Sequence, residues 1–172
     1  MSLHITEEEE SLRNLTIQSF TESALFDRTF AEGMSLVEET ARYLDGRGRE
    51  ESRALPRKAA VLYAGESMRV TTRLMQAASW LLVQRAVQEG DMKAEDAARD
   101  RYRLGSKEIC LGASAEGTET LPDTLQVLLA QSDTLYRRIA RLDDVLFGGK
   151  SEVPGVHDQI NRLEQAFGPA GA

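Results

Sequence analysis

Apolar residues recur along this chain at alternating steps of three and four, and three long stretches carry that spacing cleanly enough to predict helices. The first runs through Phe26, Phe30, Met34, Val37, Ala41 and Leu44, with Thr21 or Ser23 as its N-cap and Asp45-Gly46 as its end. The second begins at Pro56, where a first helical turn tolerates a missing donor, and continues to Gly90 with only Gly65 interrupting it. At about 34 residues and 1.5 Å per residue this helix is roughly 50 Å long. The third starts near Leu121-Pro122 and sets Leu121, Leu125, Leu128, Ser132, Leu135, Ile139, Leu142 and Leu146 on one line before Gly148-Gly149 stops it.

Between the second and third helices, Lys93 to Leu104 is rich in charge and alanine and reads as a short extra helix. Gly105 to Thr120, with three glycines and small polar residues, reads as a linker. No strand pattern and no long-period repeat interrupts this picture. The expected fold is all-α, an up-down-up three-helix bundle with a long central helix, a short extra helix and a flexible C-terminal tail. Residues 1–20 form a flexible N-terminal arm that includes the acidic run Glu7 to Glu10, residues 21–147 the bundle, and residues 148–172 the tail. The tail holds one weakly amphipathic island, Val156, Ile160, Leu163 and Phe167, between Gly/Pro breaks. Such an island suits a helix-in-groove contact with a partner, or alternatively folds back over Trp80.

The long helix is apolar over more than one stripe. Tyr63, Val70, Leu74, Ala77 and Leu81 form one line, and Met68, Met75, Ala78 and Leu82 form a second, displaced by about a quarter turn or more. A middle helix touches two neighbours, which uses part of this width. The Met-rich remainder points to a homodimer interface through Met68, Met75, Ala78 and Leu82. The opposite face carries Glu66, Arg69, Arg73 and Gln76 with Trp80 in line. That row is either a solvated salt-bridge row with the indole covered by another segment, or a partner-binding site built on Arg69, Arg73 and Trp80.

Composition narrows the function. Hydrophobic residues are 41% and charged residues 28% of the 172 positions, enough apolar material for one domain without covalent staples. The single cysteine, Cys110, excludes an intrachain disulfide and suits a reducing compartment. No signal pattern and no apolar run of membrane-spanning length occurs, so the expected location is cytoplasmic. A net charge of -7 argues against nucleic acid as the main partner. Neither histidine, His4 or His157, lies in a predicted helix, so no bundle-type metal site, no cofactor site and no catalytic base is expected. The loop carrying Arg47, Arg49, Arg53 and Arg57 lacks the Walker spacing and has acidic neighbours, so it reads as an ordered, self-paired connector. A ligand- or nucleic-acid-linked regulator using this loop with Arg137, Arg138 and Arg141 is the alternative function.

The stretches LDGRGREES, ESMRVTTRLMQAASWLL and QRAVQEGDM, together with RIARLDDVL further on, resemble the RcdA family (regulator of CtrA degradation) of alphaproteobacteria. The resemblance runs from roughly Phe20 through Leu146. It implies a three-helix bundle, a dimer, a flexible C-terminal tail and a non-enzymatic adaptor role, in which cell-cycle regulators are carried as protein cargo to the ATP-dependent protease ClpXP together with fellow adaptors.

Overall fold

The computed structural model describes residues 6–148, which are helical throughout apart from their connections. In chain order the helices are α1 Glu7–Thr21, α2 Ala24–Asp45, α3 Arg47–Ala54, α4 Arg57–Gln88, α5 Ala94–Ala97, α6 Lys107–Leu111 and α7 Asp123–Phe147, with 3-10 turns at Asp100–Tyr102 and Thr118–Thr120. The three long helices stand where the periodicity puts them, and the predicted stripes of α4 and α7 face inward, with Val70, Leu74 and Leu81 and Leu125, Leu128, Leu135 and Ile139 buried. On α2 only Phe26 of the predicted line is buried: Phe30, Met34, Val37 and Leu44 are half-buried and Ala41 is exposed, and the buried line is Phe26, Thr29, Gly33, Leu36, Thr40 and Tyr43, whose small and hydroxyl residues carry no apolar signal. Ser23 is the N-cap of α2, its hydroxyl accepting from the Phe26 N–H at 3.2 Å.

Two segments expected to be irregular are helical. The acidic run is the first turn of α1 and not a frayed arm. Thr6 and Glu9 close a reciprocal capping box, and four glutamates in the first turn suit the positive end of the helix dipole. Ile17 anchors this helix in the core. The Arg-rich loop is α3, where Arg47 pairs with Glu51 at 2.7 Å and Arg49 with Asp45 at 3.7 Å. Gly48 belongs there for contact and not for looseness: a Cβ at that position would lie 2.6 Å from the Tyr63 hydroxyl and 2.8 Å from Tyr43 Cε1. The Tyr43 hydroxyl donates to Glu51 at 2.8 Å, and burial together with that carboxylate pushes its pKa well above the ordinary phenol value.

Helix direction also departs from expectation. α2 and α4 are antiparallel, with Asp27 beside Arg85 at one end and Tyr43 near Tyr63 at the other. α4 and α7 are parallel: Leu62 lies beside Gly117, just before α7, Arg73 reaches Asp133, and Trp80 reaches Asp143 near the α7 C-terminus. The up-down-up order is therefore replaced by up-down, a return crossover, and down again. The crossover, residues 89–122, runs back along α4 as α5, a 3-10 turn, α6 and a second 3-10 turn. Parallel neighbours require such a return, and 34 residues of crossover are ample for it. The predicted helix from Lys93 to Leu104 is broken as well: α5 lies beside α1, with Asn14 Nδ2 donating to Glu95 at 3.3 Å, and the chain then turns so that Arg103 and Leu104 reach Asp143 of α7.

One buried carboxylate joins the three parts. Asp143, fully buried, accepts from Trp80 Nε1 at 2.9 Å, from Arg103 Nε at 3.0 Å to each oxygen, and from the Leu104 N–H at 3.4 Å. Phe20 of α1 packs against the same indole, with ring centroids 6.2 Å apart. Removing the carboxylate strands an arginine and an indole N–H inside the fold. Asp143→Ala is expected to cost about 3 kcal/mol, the low end for breaking a buried pair because Arg103 keeps partial solvent contact. Asp143→Asn, which keeps one acceptor, should cost about half as much. Urea unfolding followed through the single tryptophan measures both. A loss under about 0.5 kcal/mol for the alanine variant, the scale of an ordinary surface change, would remove Asp143 from this role.

Candidate protein-interaction surface

α4 presents three faces with different fates. Its apolar stripe fills the core. Its polar row, Glu66, Arg69, Arg73, Gln76 and Trp80, faces the crossover and not the solvent: Glu66 is 2% exposed, Arg73 3% and Trp80 1%. Arg69 Nη1 donates to the Gly112 and Ala113 carbonyls at 3.1 and 2.7 Å. Arg73 donates from Nε to the Cys110 carbonyl at 2.9 Å and from Nη1 to the Leu129 carbonyl at 3.3 Å, while Nη2 stands 3.0 Å from Asp133. Gln76 Oε1 accepts from the Gly105 N–H at 3.1 Å. Burial pulls the Arg73 pKa below its ordinary value, with Asp133 opposing.

The expectation that Arg69, Arg73 and Trp80 form a partner-binding surface is thereby corrected. Their donors are spent on backbone carbonyls of a Gly-containing segment and on a buried carboxylate. The signal available beforehand was the segment itself: glycine-rich backbone laid against a helix needs donors, and a row of arginine and glutamine at helical spacing supplies them. The remaining partner-binding residues, Val156, Ile160, Leu163 and Phe167, lie outside the described residues.

The third face is the outward one. From Val61 to Leu82 the exposed positions are Val61, Ala64, Gly65, Met68, Thr71, Met75, Ser79 and Leu82, and none is charged. Met68 is 72% exposed, Met75 65% and Leu82 54%. In a chain that is 28% charged, an uncharged strip along more than five turns of exposed helix is the reverse of an ordinary solvated helix face. The half-buried Ala78 lies in line with it. The structure thus brings Met68, Met75, Ala78 and Leu82 together on one strip and adds Val61 and Gly65, which the two-stripe reading of the helix omitted. Beside the strip, Val37, Ala41 and Leu44 of α2 border a groove of about 310 Å³ floored by Leu74.

A second cleft, about 290 Å³, separates the crossover from α7 and is polar, with Arg73, Gln126, Asp133 and Arg137 on its walls. Its charges are already paired. Asp133 lies between Arg73 at 3.0 Å and Arg137 at 2.8 Å, and that hydrogen bond raises the Arg137 pKa. The nearby Cys110 thiol is buried and its pKa is pushed up by desolvation, the opposite of a reactive thiolate. Among the described residues no group of three or more His, Cys, Asp or Glu is arranged to hold a metal ion, and no helix is long and apolar enough to cross a membrane. Of the arginines of the alternative function, Arg47 and Arg49 pair within and beside α3, Arg137 pairs with Asp133, and Arg138 pairs with Glu32 across the bundle.

No curated protein matches this chain. A family model described as "Protein of unknown function (DUF1465)" matches residues 17–167. The crystal structure of RcdA from Caulobacter crescentus CB15 is 53% identical in sequence, is aligned over 76% of this chain and 97% of its own, and superposes with a TM-score of 0.63. Identity of that order over nearly the whole of the relative, together with a family model that spans all three long helices, shows that the chain belongs to the RcdA family.

Proposed function

We propose that this protein is a non-enzymatic adaptor that helps deliver cell-cycle regulatory proteins to the ATP-dependent protease ClpXP, acting in the cytoplasm through protein–protein contacts alone. The observation that carries this reading is the uncharged outward strip of α4. The protease and the class of cargo are what the resemblance to the RcdA family implies. The strip, through Met68, Met75, Ala78 and Leu82, serves as a homodimer interface, and the tail residues Val156, Ile160, Leu163 and Phe167 serve as the contact for the protease machinery or a fellow adaptor.

The two surfaces can be tested separately. Met75→Glu places a carboxylate in the middle of the strip on both copies, where pairing would bury it unpaired. The dimer should weaken by about 100-fold or more, the equivalent of roughly 3 kcal/mol. Helix content should stay unchanged, because Met75 is exposed within one copy. Sedimentation velocity reads the outcome, and an undiminished dimer would move the interface elsewhere.

Truncation after Phe147 tests the tail. The shortened chain keeps α1 through α7 whole, so its melting temperature should change by no more than about 2 °C, within the range of a minor surface alteration. Degradation of a cargo protein in a reconstituted ClpXP reaction should be lost. Unimpaired delivery by the truncated chain would count against the tail, and a large drop in melting temperature would assign residues 148–172 to the folded core instead.

A further inference from the structure

We propose that the polar cleft between the crossover and α7 is a docking site for an extended acidic segment of a protein partner, with Arg137 taking a carboxylate of that segment and the crossover backbone at residues 113–116 pairing with its main chain. The inference deepens the adaptor reading by giving one surface a partner of defined chemistry, and it is tested by direct binding, without the protease.

The charges of the cleft are paired but do not cancel. Arg69, with Glu66 at 3.6 Å, and Arg73, with Asp133 at 3.0 Å, each have a carboxylate beside them. Arg137 has only a share in Asp133, through Nε at 2.8 Å, so three guanidinium groups stand against two carboxylates and one positive charge is left over. The surplus sits on Arg137, the exposed member of the three. Among the described residues its Nη1 and Nη2 make no hydrogen bond, and that end of a guanidinium is a fork matched to a carboxylate. Glu116 and Glu119 lie on the same crossover but do not line the cleft, whose polar walls are Arg73, Gln126, Asp133 and Arg137 and whose apolar lining includes Leu129 and Ala130.

Two features select a peptide over a small anion. The first is the crossover wall. Residues 113–116 are exposed, and among the described residues their N–H groups make no backbone hydrogen bond. Arg69 holds this wall in place through the Gly112 and Ala113 carbonyls, at 3.1 and 2.7 Å, so the unpaired amides stand ready for β-type pairing with an incoming main chain. The second is Arg141, one turn beyond Arg137, exposed and without an ion pair among the described residues. The two arginines lie about 6 Å apart along α7, and alternate side chains of an extended strand lie about 6.7 Å apart, so acids at alternate positions meet both. The net charge of -7 opposes an acidic partner at long range, which leaves recognition to these short contacts.

Fluorescence anisotropy of a fluorescein-labelled peptide, Gly-Ser-Ala-Asp-Val-Asp-Ala-Ser-Gly, titrated with the full-length chain, tests the site. Saturable binding is expected, at least about tenfold tighter than that of the same peptide with both aspartates replaced by asparagine. Arg137→Ala should weaken it at least about tenfold, and Arg137→Lys, which keeps the charge but not the fork, should restore it only in part. Ala130→Trp fills the cleft from an exposed position of α7 with no change of charge and should weaken binding as much, while Arg49→Ala, in α3 and outside the cleft, should leave it unchanged. Helix content should stay the same in all four, because the substituted side chains are exposed. Succinate, added at the concentration that half-saturates the peptide, should leave the complex intact, and its displacement of the peptide would give the site to a small dicarboxylate and overturn the inference. No saturable binding, equal binding of the asparagine peptide, or binding that survives Arg137→Ala or Ala130→Trp would overturn it too. Cargo delivery in the reconstituted ClpXP reaction is read apart from this: a chain that binds the peptide through the cleft and delivers nothing keeps this inference and loses the adaptor reading, and a chain that delivers without binding the peptide does the reverse.

Discussion

The fold depends on a crossover that must be held between two parallel helices. Antiparallel neighbours can be joined by a short turn, but α4 and α7 point the same way, so residues 89–122 have to travel back the length of α4 and find hydrogen bonds on the way. The polar row of α4 meets that need from one side and Asp143 from the other. Arg69, Arg73 and Gln76 engage the backbone at Gly112, Ala113, Cys110 and Gly105, while Asp143 holds Arg103 and the Leu104 N–H. The Tyr136 hydroxyl adds a bond to the Gly105 carbonyl at 2.6 Å. A buried ionic group contributes little net stability when it is paired and costs several kcal/mol when it is not, about 3–5 by analogy with broken buried pairs. The crossover and the polar row therefore stand or fall together, which makes the arrangement specific even where it adds little to stability.

This constraint decides what α4 can offer to a partner. One face of the helix is committed to the core and one to the crossover. Only the outward strip remains, and its composition is the reverse of an ordinary solvated helix face. The adjoining edge is kept rigid by close packing against α2. A Cβ at Gly33 would come within 2.6 Å of Leu81 Cδ1, and Arg85 lies over the Phe30 ring at 4.2 Å while pairing with Asp27. A strip mounted on a close-packed helix pair loses little conformational entropy on association, which suits a surface made of flexible methionines.

Periodicity made the three long helices and the buried stripes of α4 and α7 legible, because a three-and-four spacing sustained over many turns lines up on one face only if the backbone is helical. α2 and α7 end where Asp45-Gly46 and Gly148 mark them. The shorter elements were hidden by residues that serve two purposes. Gly48 looks like a loop glycine and is a contact glycine in α3, and Glu7 to Glu10 look like a solvated arm and are a capped first turn. Helix direction was not legible at all, since periodicity is blind to it and the only clue was the length of the crossover. Trp80 and Arg73 illustrate the same limit at the level of the site. Residue type marks both as hot-spot material, but their use inside the fold depends on which segment lies over them, and that is a property of the crossover path.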